Sequence, residues 1–389
     1  MIARDSTATL ENLAAGFPVV AIYGPRQSGK TTLARHVFSH LPYVSLENLD
    51  TREYAVSDPR GFLGRYTDGA LLDEVHNAPE LLSYLQQVVD ESGALGRFVL
   101  TASQHYVFHE RVSQTLAGRV GALRLLPLSM SELRGAELQP TTLDQLLHNG
   151  LYPAVYDRPV SPELWYDNYV TTYVERDVRQ LLAVKDLVQF QRFLRLAAGR
   201  TGQLLNLSNL GDDVGVSHNT VREWISVLEA GFIVFRLPPH HATFSKRLIR
   251  TPKLFFYDPG LAAWLLGIQT VDQMRTHPLR GALFETYVVS ELLKAMHNRA
   301  RHRSLYFWRD RSGLEIDGLI DLAGSLYPVE VKAGATVTSE MFRGLGRWRD
   351  LAGEKAAASY LVYGGTEYQN RQDVEVFPWS DPVPPVLRG

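Results

Sequence analysis

Residues 24–31 read GPRQSGKT, and the fold of the amino-terminal part follows from how that stretch is read. The spacing is G-x-x-x-x-G-K-[ST]. In such a loop a run of backbone N–H groups wraps phosphate oxygens, the lysine reaches the β and γ oxygens, and the next hydroxyl takes Mg²⁺. Gly24, Pro25, Arg26, Gln27, Ser28 and Gly29 make the cradle, Lys30 is the phosphate lysine, Thr31 the metal-side hydroxyl, and Thr32 extends the nucleotide-binding set. The pattern means this only between a strand and a helix. Residues 17–23 (FPVVAIY) form a short apolar, β-branched run suited to a buried parallel strand, and residues 31–38 continue with helix-compatible residues. A Gly-Lys surface turn, the competing reading, accounts for the loop but not for its flanks.

A phosphate loop of this kind needs an acidic partner at the end of another buried strand. Residues 70–74 (ALLDE) supply it, with Asp73 on the metal side and Glu74 as the general base that activates water. Residues 97–101 (RFVLT) read as a further strand, and after it Ser103 and Gln104 stand where a γ-phosphate or attacking water is sensed. Arg119, in LAGRV, is a candidate γ-phosphate contact in its own subunit or a neighbouring one. An ordinary surface arginine is the alternative. Together these predict an ATP-hydrolysing site that uses Mg²⁺.

The 389-residue chain is long enough for two or three domains, and 45% hydrophobic content supports globular cores. Lys plus Arg total 40 against 42 Asp plus Glu, so any nucleic-acid contact must come from local patches. The absence of cysteine excludes disulfide scaffolds and thiolate metal sites. No apolar signal core opens the chain, and no apolar run approaches the roughly 20 residues that span a bilayer, so a cytoplasmic protein without membrane contact is expected.

Past a Pro- and Gly-punctuated connection near residue 150, the stretch WYDNYVTTYVERDVRQLL has helical spacing and carries Glu175, Arg176, Asp177 and Arg179. These read as a solvated helix face with internal pairs, or, in Arg176, as a subunit-facing cation. Residues 204–239 then give a short helix, a turn at Gly215, a second helix capped at Ser217 and an apolar strand: a helix-turn-helix with a wing-like strand. If it reads DNA, His218, Asn219, Thr220 and Arg222 start the exposed helix and Lys246, Arg247 and Arg250 hold the backbone. A protein-binding or lid module is the other reading, and Asp212 and Asp213 lie close to the proposed DNA face.

The last third has a different chemistry. Residues 281–294 (GALFETYVVSELLK) predict an amphipathic helix presenting Glu285, and YFWRDRSGLEIDGLID and LYPVEVKAG read as two strands. Alternation puts Glu330 and Lys332 on one face, and Glu315 and Asp317 on one face. Asp317, twelve residues, then Glu330-x-Lys332 is the D-x(n)-E-x-K spacing of restriction-endonuclease-like nucleases. Two carboxylates there hold Mg²⁺ or Mn²⁺ against a phosphate, Lys332 positions or deprotonates water, and Glu285 completes the metal's ligand set. An amphipathic strand with a solvent-facing Glu-Lys pair is the bland reading.

Taken together, GPRQSGKTTLA, DPRGFL, LLDEVHNAPELLSYLQ, FVLTASQ, SQTLAGRV, YVERDV, FYDPGLAAWLLG, GALFETYVVSELLK and EIDGLID…YPVEVKAG resemble the AAA-type P-loop ATPases that carry a restriction-endonuclease-like carboxyl-terminal region. The resemblance covers nearly the whole chain. It implies an α/β protein: an AAA-type ATPase core over 1–150, a helical and winged-helix region over 151–272, and a restriction-endonuclease-like domain over 273–389. It also implies ATP binding and hydrolysis, and sites shared between subunits of a homo-oligomer. Ala102 stands where the family usually has Gly, and His76 where Gln is common. Two functions fit: an ATP-driven enzyme acting on DNA, and an ATP-dependent switch for a protein partner with a catalytically inactive nuclease-like scaffold. Intact Asp317, Glu330 and Lys332 favour the first, near-neutral charge the second.

Overall fold

The computed structural model describes residues 1–103, 112–174, 187–240, 249–300 and 304–388. Contacts divide the chain into two compact units, Met1–Leu128 with Glu229–Phe232 and His297–Ala300, and Ser129–Leu228 with Ile233–Met296 and Arg301–Gly389. The protein is mixed α/β, with a parallel sheet in the first unit and a sheet-rich carboxyl-terminal region in the second. Among the described residues no helix is long and apolar enough to cross a membrane.

The first unit is built on five parallel strands: β1 (Val19–Tyr23), β2 (Tyr43–Ser45), β3 (Ala70–Asp73), β4 (Phe98–Ala102) and β5 (Val120–Arg124), in the order β2-β3-β4-β1-β5. β1, β3 and β4 are buried from end to end, as expected of strands covered on both faces. The helices Thr7–Gly16 and Lys30–Val37 contribute Leu10, Leu33 and Ala34 to a core with Val20, Ile22, Leu71 and Val99. Because β4 lies between β1 and β3, its carboxyl end falls between the loop that follows β1 and the acids that end β3. That order is what assembles the site described below.

The second unit contains the predicted helix-turn-helix. Helix Leu207–Val214 is capped by Asn206, Gly215 turns with φ +87°, and the Ser217 hydroxyl accepts the Thr220 N–H (3.1 Å) at the start of helix His218–Ala230. A three-stranded antiparallel sheet follows, β6 (Gln203–Leu204), β7 (Val234–Leu237) and β8 (Lys253–Phe256), in the order β6-β8-β7.

Further along the chain come helix Arg280–His297 and a six-stranded mixed sheet. Its strands are β9 (Leu305–Arg309), β10 (Glu315–Leu322), β11 (Ser325–Lys332), β12 (Ser359–Tyr363), β13 (Gln369–Arg371) and β14 (Val374–Pro378), in the order β13-β14-β12-β11-β10-β9. Trp308, Ile316, Leu319, Leu345, Trp348 and Leu361 fill the core between this sheet and helix Arg343–Ala352. The sequence reading of one strand through YFWRDRSGLEIDGLID is corrected here: the stretch is a hairpin. Asp310 Oδ1 accepts from the Ser312 N–H (2.8 Å), the Ser312 hydroxyl (2.7 Å) and the Leu314 N–H (3.1 Å), and Gly313 takes φ +92°, so the chain reverses between β9 and β10.

Candidate functional site

The phosphate loop leaves β1 at Tyr23. Gly24 passes so close to the Leu125 carbonyl that a Cβ would collide with it. Gly29 sits in the left-handed region (φ +93°, ψ 18°) and opens helix Lys30–Val37, so the helix begins at the loop with its free N–H groups toward the cradle. The Ser28 hydroxyl is buried without a hydrogen-bond partner among the described residues. Lys30 is buried and its Nζ donates to the carbonyls of Gly24 (3.1 Å) and Pro25 (2.8 Å). Burial lowers its pKa to about 8, against the pull of Glu74.

Asp73 ends β3 and collects three hydroxyls. Its Oδ1 accepts from Thr31 Oγ1 (2.7 Å) and Thr101 Oγ1 (2.6 Å), and its Oδ2 from Tyr43 OH (2.9 Å). The predicted metal pair, Thr31 and Asp73, is therefore in direct contact, two hard oxygen donors of the type Mg²⁺ takes, beside a loop with an unsatisfied buried hydroxyl. That donor set fits a nucleotide-bound Mg²⁺.

Glu74 adopts φ 55°, ψ 49°, a left-handed conformation that costs a residue with a Cβ about 1 kcal/mol. The conformation turns its carboxylate to Ser103, which donates both its backbone N–H (3.0 Å) and its hydroxyl, while the Glu74 N–H donates to Thr101 Oγ1 (2.9 Å). His76 Nδ1 lies 3.0 Å from Glu74 Oε2 but off the line of a hydrogen bond. Burial pushes the Glu74 carboxyl up, but His76, Lys30 and Ser103 outweigh it and hold the group near a pKa of about 2. Lys30, Asp73, Glu74 and Ser103 are thus brought together as the sequence predicts.

Arg119 is not. It precedes β5, and its carbonyl accepts from the N–H of Val19, the first residue of β1, which places it at the amino edge of a sheet whose carboxyl edge carries the phosphate loop. Its guanidinium grips Asp90 through two nitrogens. This corrects the reading of Arg119 as a γ-phosphate contact in its own subunit. Gln104 and Arg176 lie outside the described residues, as do Lys246 and Arg247.

Arg4, Tyr43 and Thr101 were missed in the sequence. Arg4 Nη1 donates to the carbonyl of Ser28 (2.7 Å) and Nη2 to that of Leu126 (2.7 Å), clamping the phosphate loop to the chain that follows β5. Thr101 closes a strand already recognised, so its polarity in a buried run was the available signal. Nothing near Arg4 in the sequence announces its contact 24 residues on.

The carboxyl-terminal cluster is wider than predicted. Glu285 comes from helix Arg280–His297, Glu315 and Asp317 from β10, and Glu330 and Lys332 from β11. Carboxylate oxygens of Glu285, Glu315 and Asp317 lie within 4.8 Å of one another. The pairing of β10 with β9 shifts between Ile316 and Leu319, at Asp317, and Asp317 Oδ2 accepts the Val331 N–H (2.9 Å). Glu330 pairs with Lys332 through Oε1, while its buried Oε2 has no hydrogen-bond partner among the described residues. Burial, then the charge of Asp317, raises both the Glu285 and Glu330 carboxyl pKa values. The Lys332 pKa is also raised, because Asp317 and Glu330 outweigh burial.

A lysine that the sequence reading passed over enters this cluster. Lys253 opens β8, is 2% exposed, and its Nζ contacts Glu285 Oε1 (2.7 Å) and Glu315 Oε1. Arg309 Nη1 holds the other oxygen of Glu315 at 2.9 Å. Among the described residues, three cations thus already face four carboxylates. The orphaned Glu330 Oε2 suits a divalent ion, whereas Glu285 and Glu315 are committed to protein cations.

Comparison with known proteins places an AAA domain over residues 16–134, and domains of unknown function, DUF8612 over 140–272 and DUF4143 over 280–381. The amino-terminal part is thereby an AAA-type P-loop ATPase core. The uncharacterized proteins Rv2008c of Mycobacterium tuberculosis and Mb2031c of Mycobacterium bovis are each 30% identical over 336 residues, 86% of this chain and 74% of theirs. Among solved structures, a Walker-type ATPase of Pyrococcus abyssi is similar at 14% identity, covering 68% of this chain and 96% of its own (TM-score 0.48). DnaA of Aquifex aeolicus is similar at 16%, covering 58% and 85% (TM-score 0.31).

Proposed function

The chain belongs to one family with the mycobacterial proteins Rv2008c and Mb2031c, and from that membership and its AAA domain we propose that it hydrolyses ATP at Lys30, Thr31, Asp73 and Glu74, with its ATP state controlling the helix-turn-helix and the carboxyl-terminal sheet. The observation that carries the reading is the grip of Ser103 on Glu74 beside the Thr31–Asp73 pair. The cradle of residues 24–29 binds the phosphates with its N–H groups, and Lys30 exchanges the carbonyls of Gly24 and Pro25 for phosphate oxygens. Mg²⁺ supplies charge neutralisation at those oxygens, with Thr31 and Asp73 as its protein side. Glu74 orients and deprotonates the attacking water, and Ser103 holds that carboxylate in place. Binding of a fluorescent ATP analogue tests the site: wild type should bind with Mg²⁺ and Lys30→Ala should not, and equal binding by both would remove the loop from the account.

We further propose a division of labour among 1–150 as ATPase, 151–272 as helical and winged-helix region and 273–389 as nuclease-like domain. In this reading the protein is a homo-oligomer acting on DNA, with Arg119 reaching a neighbour's site once it gives up its contact with Asp90. Exposed His218, Asn219 and Arg222 support DNA contact, since they open the second helix of a helix-turn-helix. Arg222→Ala should weaken DNA binding and flatten its salt dependence; an unchanged salt slope would count against it. For the carboxyl-terminal cluster the finer reading is DNA cleavage with Mg²⁺ or Mn²⁺ at Glu285, Asp317 and Glu330 and with Lys332 holding water. The switch reading, with an inactive scaffold, is favoured by one observation, the insertion of Lys253 among those carboxylates.

A further inference from the structure

We propose that Lys253 is the resident cation of the carboxyl-terminal acidic cluster and competes with a divalent ion for Glu285 and Glu315, so that the cluster takes metal only when Lys253 is withdrawn. The inference rests on the reading of this cluster as a metal site and specifies what controls it.

The argument is one of geometry and charge. Burying several carboxylates together is unfavourable unless cations accompany them. Nuclease-like sites meet that need with a metal, but here an ammonium already touches Glu285 Oε1 and Glu315 Oε1, on two of the three carboxylates that could hold an ion together with Asp317. An ammonium and a divalent ion seated on the same two carboxylates repel at close range, so each disfavours the other. Lys253 is also not a loose surface lysine. It is the first residue of β8, locked by pairing with Leu204 of β6 and Leu237 of β7, and its ammonium lies in buried surroundings over the rings of Phe255 (6.0 Å) and Phe307 (5.6 Å). Withdrawal therefore means movement of the small sheet that accompanies the helix-turn-helix, rather than a rotamer change. Glu330 completes the picture. Its Oε2 is buried and, among the described residues, without a hydrogen-bond partner, so on the β11 side a ligand position remains that none of the described cations fills.

Mn²⁺ titration of the full-length protein by calorimetry, without nucleotide, tests this with Lys253→Met, Lys253→Arg, Asp317→Asn and Lys253→Met/Asp317→Asn. Lys253→Met should bind Mn²⁺ about 10- to 100-fold more tightly than wild type, the scale on which groups around a metal's ligands shift affinity. Lys253→Arg, which keeps the charge, should not gain, and Asp317→Asn should remove the gain, locating the ion at the cluster. Thermal unfolding of wild type with and without Mn²⁺ gives a readout independent of the variants' folding: Tm should not rise in an Asp317-dependent way. Equal, Asp317-dependent affinity in wild type and Lys253→Met would overturn the competition and leave the metal site standing. Absence of Mn²⁺ binding in a folded Lys253→Met would overturn the metal site and the competition together.

Discussion

Ser103 holds Glu74 by two donors at once, its backbone N–H and its hydroxyl, across the gap between the ends of β4 and β3. The contact fixes a carboxylate whose own backbone is in the left-handed region and which stays ionised despite burial. Ser103→Ala keeps the N–H and deletes the hydroxyl. Steady-state kinetics should show kcat reduced about tenfold with KM for ATP little changed, since Ser103 positions the base rather than the nucleotide. A raised KM with normal kcat would move Ser103 from the base to the phosphates.

Much of this site was legible because local chemistry and strand order agree. GPRQSGKT and ALLDE each announce themselves by residue type, and burial of apolar runs predicts the strands that present them. What was not legible is contact at long range. Arg4 reaches Ser28 and Leu126 through folding of the amino-terminal helix against β5, and Lys253 reaches Glu285 and Glu315 from another sheet. No periodicity in the neighbouring residues encodes either meeting. The reading of Arg119 as a contact within its own subunit failed for a related reason: its motif fixes neither which edge of the sheet it occupies nor that Asp90 stands beside it.

Arg4 should act on nucleotide affinity. In a trans peptide the Ser28 carbonyl and the Gly29 N–H point in opposite directions, so a guanidinium that pins the carbonyl also aims the N–H. Arg4→Ala should raise KM for ATP about tenfold while kcat changes less, and Arg4→Lys, which cannot span both carbonyls, should recover only part of the affinity. Added methylguanidinium should lower KM of Arg4→Ala but not of wild type. An unaltered KM in Arg4→Ala would show that the loop holds its shape unaided.

Lys30 makes a pH-dependent prediction about stability without nucleotide. Its folded pKa of about 8 lies below the ordinary 10.5, so folding disfavours the charged form. The unfolded chain binds the extra proton between those two values, and stability rises with pH across that window. Below the folded pKa the cost is present in full, about 3 kcal/mol. Urea unfolding of wild type and Lys30→Met at pH about 7 and about 10 should therefore show wild type gaining on the variant at the higher pH. A difference independent of pH would mean that Lys30 is not held in a desolvated site.

The measurement that bears most directly on ATP hydrolysis at this site is phosphate release from ATP by wild type, Lys30→Ala and Glu74→Gln, with nucleotide binding followed in parallel. Mg²⁺-dependent release by wild type is expected, with neither binding nor release by Lys30→Ala. Glu74→Gln should retain ATP binding while its rate falls by at least about 100-fold, because the water loses its base. Release at the wild-type rate by Glu74→Gln, or ATP binding by Lys30→Ala, would contradict the assignment of these residues.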